Sequence, residues 1–208
     1  MRHLLNPTLI GILALFSATS PSLARYLPPS LVDLLGKSDL VAVGVIAEVQ
    51  ASAFVLRLEN TIAGSPGGSP GRSTIRIERF ENWACSTRWK PYLVGQRLLV
   101  MVRAVEHEDY EFAHRSAGWE SEFPIVEGHA LAHSYQVPGA ETVPFAENYV
   151  VPSIPLETVV EATLDLRRCW DLREVFFPEP KCSAEEITAL RTRSGFHRRL
   201  LEKLPDGK

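Results

Sequence analysis

Leu40-Val41-Ala42-Val43-Gly44-Val45-Ile46-Ala47-Glu48-Val49, within residues 39–50, is the stretch that decides the fold class. Side chains of an extended chain alternate between two faces, which puts Val41, Val43, Val45, Ala47 and Val49 on one side and Leu40, Ala42, Gly44 and Ile46 on the other. A run that is apolar on both faces reads as a central strand. Residues 53–63 alternate more cleanly, with Phe54, Leu56, Leu58 and Ile62 opposite Val55, Arg57, Glu59 and Thr61, so this strand has one wet face. Residues 64–71 (GSPGGSPG) are loop by composition. Residues 74–80 resume a strand with Ile75 and Ile77 inward. Residues 96–105 and 110–114 form a hairpin across His107-Glu108-Asp109, and a short strand pair is expected around Glu127-Gly128 within residues 123–132.

The composition then changes. Residues 134–155 hold Pro138, Pro144, Pro152 and Pro155 with no helical period, and read as an extended connection packed on the strands. From Leu156 the period becomes helical, with Leu156, Val159, Val160, Thr163, Leu164 and Trp170 able to share a face. Ser183 followed by Glu186 is a capping-box pattern, and Ile187, Leu190, Leu200, Leu201 and Leu204 continue a second helix that Gly195 weakens and Pro205 stops. About five strands followed by two helices predict an α+β, mainly β fold: an OB-type five-stranded antiparallel barrel with two C-terminal helices. The expected organisation is a signal peptide at 1–24, the barrel at 25–133, the connection at 134–155 and a helical extension at 156–208.

The signal peptide is read from Arg2 and His3, the apolar run from Leu9 to Phe16, and Ser22-Leu23-Ala24, which places small residues at the −3 and −1 positions of a cleavage after Ala24. The apolar run is too short for a membrane span, which needs about 20 residues, so no transmembrane segment is expected and the chain reads as exported, periplasmic or extracellular. An uncleaved N-terminal anchor is the alternative. The formal net charge is −3, but its distribution is uneven. Arg72, Arg76, Arg79, Arg88, Lys90, Arg97 and Arg103 fall together, whereas residues 104–165 carry twelve acidic groups and a single basic one, Arg115. Such blocks either steer a partner or neutralise each other in the fold.

Three cysteines in an exported chain imply one disulfide and one leftover thiol, or an intermolecular bond. Cys169 and Cys182 bracket a short Pro-containing segment between the two expected helices and are the first choice of pair, leaving Cys85 between Trp83 and Trp89. A bond from Cys85 to either of the others is the alternative.

Ser38-Asp39-Leu40-Val41-Ala42-Val43-Gly44 opening the first strand, the loop into residues 74–80, Cys85 soon after that strand, and Val94-Gly95-Gln96-Arg97-Leu98-Leu99-Val100 leading the next strand resemble netrin-like domains. Tissue inhibitors of metalloproteinases carry that domain, and uncharacterised secreted bacterial proteins also resemble the pattern. The resemblance spans about residues 30–132 and implies the barrel. It does not imply inhibition, which in those proteins depends on a cysteine at the mature N-terminus; the expected start here is Arg25-Tyr26-Leu27-Pro28-Pro29.

The foremost candidate site is the segment at residues 76–97, where Arg76, Arg79, Arg88 and Lys90 interleave with Phe80, Trp83, Trp89 and Tyr92, with the loop at residues 81–95 as its contact surface. Aromatic faces beside cations suit a protein or glycan partner, and OB barrels bind through loops of this kind. Nucleic acid is a poor ligand for an exported acidic chain. The competing reading is that Trp83 and Trp89 plug the barrel end while the arginines pair with Glu78 and Glu81. His129 and His133 are four apart, but on a strand they stand about 13 Å from each other, too far to share an ion; His107 and His114 read as surface residues. There is no nucleophile elbow, zincin helix or cofactor motif. The expected function is therefore a non-catalytic binding protein of the cell envelope. The alternatives are a hydrolase or thiol enzyme using Cys85, and a structural protein docking through the basic face of Arg191, Arg193, Arg198, Arg199 and Lys203.

Overall fold

The computed structural model describes residues 29–67, 71–83, 86–116, 118–146, 149–172 and 178–206. The signal segment, the start at Arg25 and Cys85 lie outside the described residues. The chain runs α1 (Leu31–Lys37), β1 (Leu40–Val49), β2 (Ala53–Gly64), β3 (Thr74–Glu78), β4 (Arg97–Ala104), β5 (Phe112–His114), a 3₁₀ turn (Trp119–Ser121), β6 (Glu122–Val126), β7 (His129–Leu131), β8 (Glu141–Ala146), β9 (Tyr149–Pro155), α2 (Leu156–Cys169), α3 (Ala184–Arg193) and α4 (Gly195–Leu201). Two short strands, Trp170–Asp171 and Glu179–Pro180, pair beside the end of α2.

The first five strands close a barrel in the order β1-β2-β3-β5-β4, with β4 returning to β1. All its neighbours are antiparallel except β3 and β5, which run parallel where Ile77 faces Phe112. An odd number of strands cannot alternate direction all the way round a ring. One seam must be parallel, so the barrel is mixed rather than purely antiparallel.

β1 pairs with β2 on one side and β4 on the other, and its two apolar faces feed two different cores. Leu40, Ala42 and Ile46 point into the barrel, where they meet Phe54, Leu56, Ile75, Ile77, Leu98, Val100 and Val102. Val41 and Val43, with Leu99 and Met101 of β4, point outward into a second core built with the helices. The wall shared by the two cores is why this stretch has no wet face. At Gly44 the strands approach so closely that a Cβ would stand 2.4 Å from the Arg57 carbonyl oxygen, beside a register shift in the β1–β2 ladder.

Beyond β4 the sheet continues through β6, β7, β9 and β8. β6 and β7 form the expected hairpin, turning at Glu127 and Gly128, whose φ values are 49° and 80°. Two positive φ angles match the twist of paired strands. Residues 134–155 are extended, but they also pair: β8 and β9 form a hairpin that adds an edge to the sheet, with Pro144 and Pro152 in its ladder. Neither proline was a barrier: Pro144 lies on the edge strand β8, and Pro152 lies in β9 just before the residues that pair with β7, where its carbonyl accepts from the Ala132 N–H.

The helical layer covers the outer core. α2 buries Val159, Ala162, Thr163, Leu166 and Cys169, and leaves Leu164 exposed. Trp170, expected on that helix, begins the short strand after it and is fully buried. The expected second helix is two helices. α3 starts on the Ser183–Glu186 capping box, and α4 starts on Ser194, whose hydroxyl accepts from the His197 N–H. Gly195 sits at this break because a Cβ there would lie 1.7 Å from the Pro138 carbonyl oxygen. α1, which no sequence pattern announced, spans only seven residues, and packing rather than propensity holds it. Leu31, Leu34 and Leu35 are buried, and Arg167 of α2 donates to the Leu35 and Ser38 carbonyls at its C-terminal end, at 2.9 and 2.6 Å.

Cys169 and Cys182 form a disulfide, tying the end of α2 to the cap of α3. Among the described residues no helix is long and apolar enough to cross a membrane.

Candidate functional site

The segment between β3 and β4 folds back over one end of the barrel, and Arg88 anchors it. Its Nε donates to Glu122 Oε2 at 2.8 Å, with side-chain exposures of 3% and 0%. A second guanidinium N–H donates to the Lys90 carbonyl, and the group lies 3.7 Å from the Tyr92 ring centroid. Buried ions need this degree of satisfaction, since desolvation otherwise exceeds their attraction.

Glu122, the first residue of β6, gathers the remaining partners. Its Oε1 accepts from the Tyr92 hydroxyl at 2.5 Å and faces His114 Nε2 at 3.3 Å, while His114 Nδ1 meets Ser121 Oγ at 3.0 Å. Burial, followed by the Glu122 charge, raises the Tyr92 hydroxyl well above its ordinary pKa. His114 is therefore interior, not a surface residue, because β5 turns it inward opposite Val102. The Glu122 carbonyl oxygen accepts from His133 Nε2 at 2.8 Å. Burial lowers the His133 pKa to about 3, so the ring is neutral with its proton on Nε2, and Nδ1 accepts from Ser134. Trp119 stacks on this imidazole at 3.3 Å.

The aromatic and basic residues named from sequence are thus divided between core and surface. Tyr92 is buried against Phe54 at 4.8 Å, and Phe80 and Trp89 pack on the barrel core. Trp89 also meets Phe145 of β8 at 5.5 Å. Trp83 is 41% exposed and bridges to Ser86 through its backbone. Lys90 is exposed with its ammonium 5.8 Å from the Trp89 ring, and Arg79 donates to the Gln50 and Ala51 carbonyls at 2.7 and 3.1 Å.

Two cavities open across this end of the barrel. One, of about 500 Å³, is bounded by Ser52 from the β1–β2 turn, by His107, Asp109 and Tyr110 from the β4–β5 loop, and by Glu78 at the end of β3. The other, of about 520 Å³, is bounded by Ala51, Asn82, Arg88, Trp89, Lys90 and Tyr92. Arg79, Phe80 and Glu81 line both, so the two cavities adjoin across these three residues.

No protein family, curated protein or solved structure matches this chain. The resemblance to netrin-like domains accordingly rests on the residues quoted for it.

The charge blocks meet only in part, and Glu59 lies outside the acidic one. Arg72 and Arg76 pair with Glu111, Arg88 with Glu122, and Arg97 with Glu59. Glu78 instead accepts from the Tyr110 hydroxyl at 3.4 Å. On the C-terminal helices Arg191 pairs with Asp206, Arg193 with Asp165, and Arg199 with Glu202, which leaves Arg198 and Lys203 exposed on the face expected to dock. Among the described residues no three His, Cys, Asp or Glu side chains gather around a metal-sized space.

Sequence reasoning missed the Glu122, His114, Ser121 and His133 cluster. Its signal was available only as an acidic residue opening an otherwise apolar strand, Glu122-Phe123-Pro124-Ile125-Val126.

Proposed function

We propose that this chain is an exported, non-catalytic binding protein of the cell envelope that holds its partner in the groove across the barrel end. The observation that carries the reading is that two cavities of about 500 and 520 Å³ lie side by side on either side of Arg79, Phe80 and Glu81, and together span the barrel end. Barrels of the OB type bind at the loops joining strands 1–2 and 4–5, and the first cavity lies between those two loops. That correspondence is an analogy of fold. The disulfide and the N-terminal segment support export. A catalytic role for His114 draws less support, because both of its ring nitrogens are engaged, by Ser121 and Glu122.

A photo-reactive residue placed at Lys90 or Asp109 in the full chain, expressed in its native host, should crosslink to a partner, whereas one at Glu185 on α3 should not. Crosslinking only at Glu185, or at none of the three, contradicts the reading.

A further inference from the structure

We infer that the groove takes an extended polypeptide segment in which an apolar residue stands between a basic and an acidic one. This rests on the reading of the groove as the binding site, and it adds the class of partner.

The groove leaves several of its charges uncompensated. Arg79 and Glu81, of opposite sign, line both cavities and balance at the middle. The ends differ. Glu78 and Asp109 belong only to the first cavity, and Lys90 only to the second. Arg88, also in the second, is already matched by Glu122. Among the described residues none of Glu78, Arg79, Glu81, Lys90 or Asp109 has an ion-pair partner, although Arg72, Arg76, Arg88 and Arg97 of the same basic block each have one. Glu78 and Asp109 accept only the hydroxyls of Tyr110 and Ser52. A groove that is negative at one end and positive at the other selects a ligand of complementary polarity and penalises like charge.

Two donors beside the second cavity also lack acceptors. Arg79 Nε and Trp89 Nε1 are closed off from water and have no hydrogen-bond acceptor among the described residues. Both side chains line the second cavity. Buried donors are rarely left unmatched, and an acceptor brought by a ligand would reach these two only if their side chains shifted toward the cavity on binding.

These features separate the classes of macromolecule. A polyuronate or a nucleic acid repeats one negative sign along its length and would meet Glu78 and Asp109 unfavourably. A polypeptide carries both signs, supplies carbonyl acceptors, and can lay an apolar side chain on Phe80 where the cavities adjoin.

The test is fluorescence anisotropy on the full chain with four synthetic peptides of one length and one central leucine, flanked by Lys and Glu, by two Lys, by two Glu, or by two Gln, and with oligogalacturonate as the saccharide probe. The Lys–Leu–Glu peptide should bind at least tenfold more tightly than any other. Lys90→Glu should shift the preference to the two-Lys peptide, and Asp109→Lys, which leaves that end neutral beside Glu78, should erase the advantage of the Lys–Leu–Glu peptide over the two-Glu peptide. Both positions are exposed, and circular dichroism checks that the variants fold. Equal affinity for all peptides, a preference for oligogalacturonate, or failure of the preference to follow the substitutions overturns the inference. If crosslinking at Lys90 and Asp109 persists in any of these cases, the groove stands as the site and only the class of partner is wrong. If that crosslinking is absent as well, both fail.

Discussion

Arg88 and Glu122 meet at 2.8 Å in the interior and join the segment after β3 to the first residue of β6. The pair holds the barrel-end segment down, because Tyr92 and His114 converge on the same carboxylate. Glu122→Ala leaves Arg88 buried without its partner, and such losses cost about 3–5 kcal/mol. Replacing Arg88 and Glu122 together with Met removes both charges and should be less damaging than the single change. Urea unfolding of the parent chain and the two variants checks this; a double variant no more stable than Glu122→Ala would contradict it.

His133 predicts an acid sensitivity with a definite sign. The unfolded imidazole titrates near pH 6.5, whereas burial holds the folded one to about 3. Between these values the unfolded chain binds a proton that the folded chain does not, so stability is lost as pH falls from 6.5 toward 3, by up to about 1.4 kcal/mol per pH unit. His197, also lowered by burial, adds in the same direction. His133→Gln can still donate to the Glu122 carbonyl and does not titrate. Its stability measured from pH 6.5 to 5 should therefore fall less steeply than that of the parent chain.

Reduction of the Cys169–Cys182 bond frees a loop of 13 residues' separation and should cost about 3 kcal/mol. Chemical unfolding with and without reductant measures it. With those two cysteines paired, the unreduced chain in denaturant should titrate one thiol, that of Cys85; a count of zero would point to a bond between chains.

Gly195→Ala separates packing from propensity. Alanine favours helix over glycine by about 1 kcal/mol, yet its Cβ would meet the Pro138 carbonyl at 1.7 Å. Overpacking of this kind costs about 1–3 kcal/mol, so the variant should be net destabilised in thermal unfolding. Stabilisation would show that the loop at Pro138 yields freely.

Much of the barrel was legible because its strands carry their burial in period 2. β1, β2, β3, β4 and β5 fall within one or two residues of where alternation puts them, and Glu127-Gly128 marks its turn. Residues 134–155 hid a hairpin because prolines mask the strand signal at a sheet edge. α1 was invisible because seven residues with three buried leucines carry too little periodicity. The site was legible only in part. Arg88 and Tyr92 stood out as basic and aromatic, but nothing local to them reveals Glu122, which lies 34 residues from Arg88. Pairing between distant segments is also why the charge blocks meet at Glu111 and Glu122, while Arg97 finds Glu59 outside them and Arg79 and Lys90 have no ion pair among the described residues.

The most direct test of the groove is amide chemical-shift mapping of the full chain titrated with the Lys–Leu–Glu peptide. The account predicts shifts confined to residues 50–52, 78–82, 87–92 and 107–111. Shifts centred on α3 and α4, or none at saturating peptide while the chain remains folded, would contradict it.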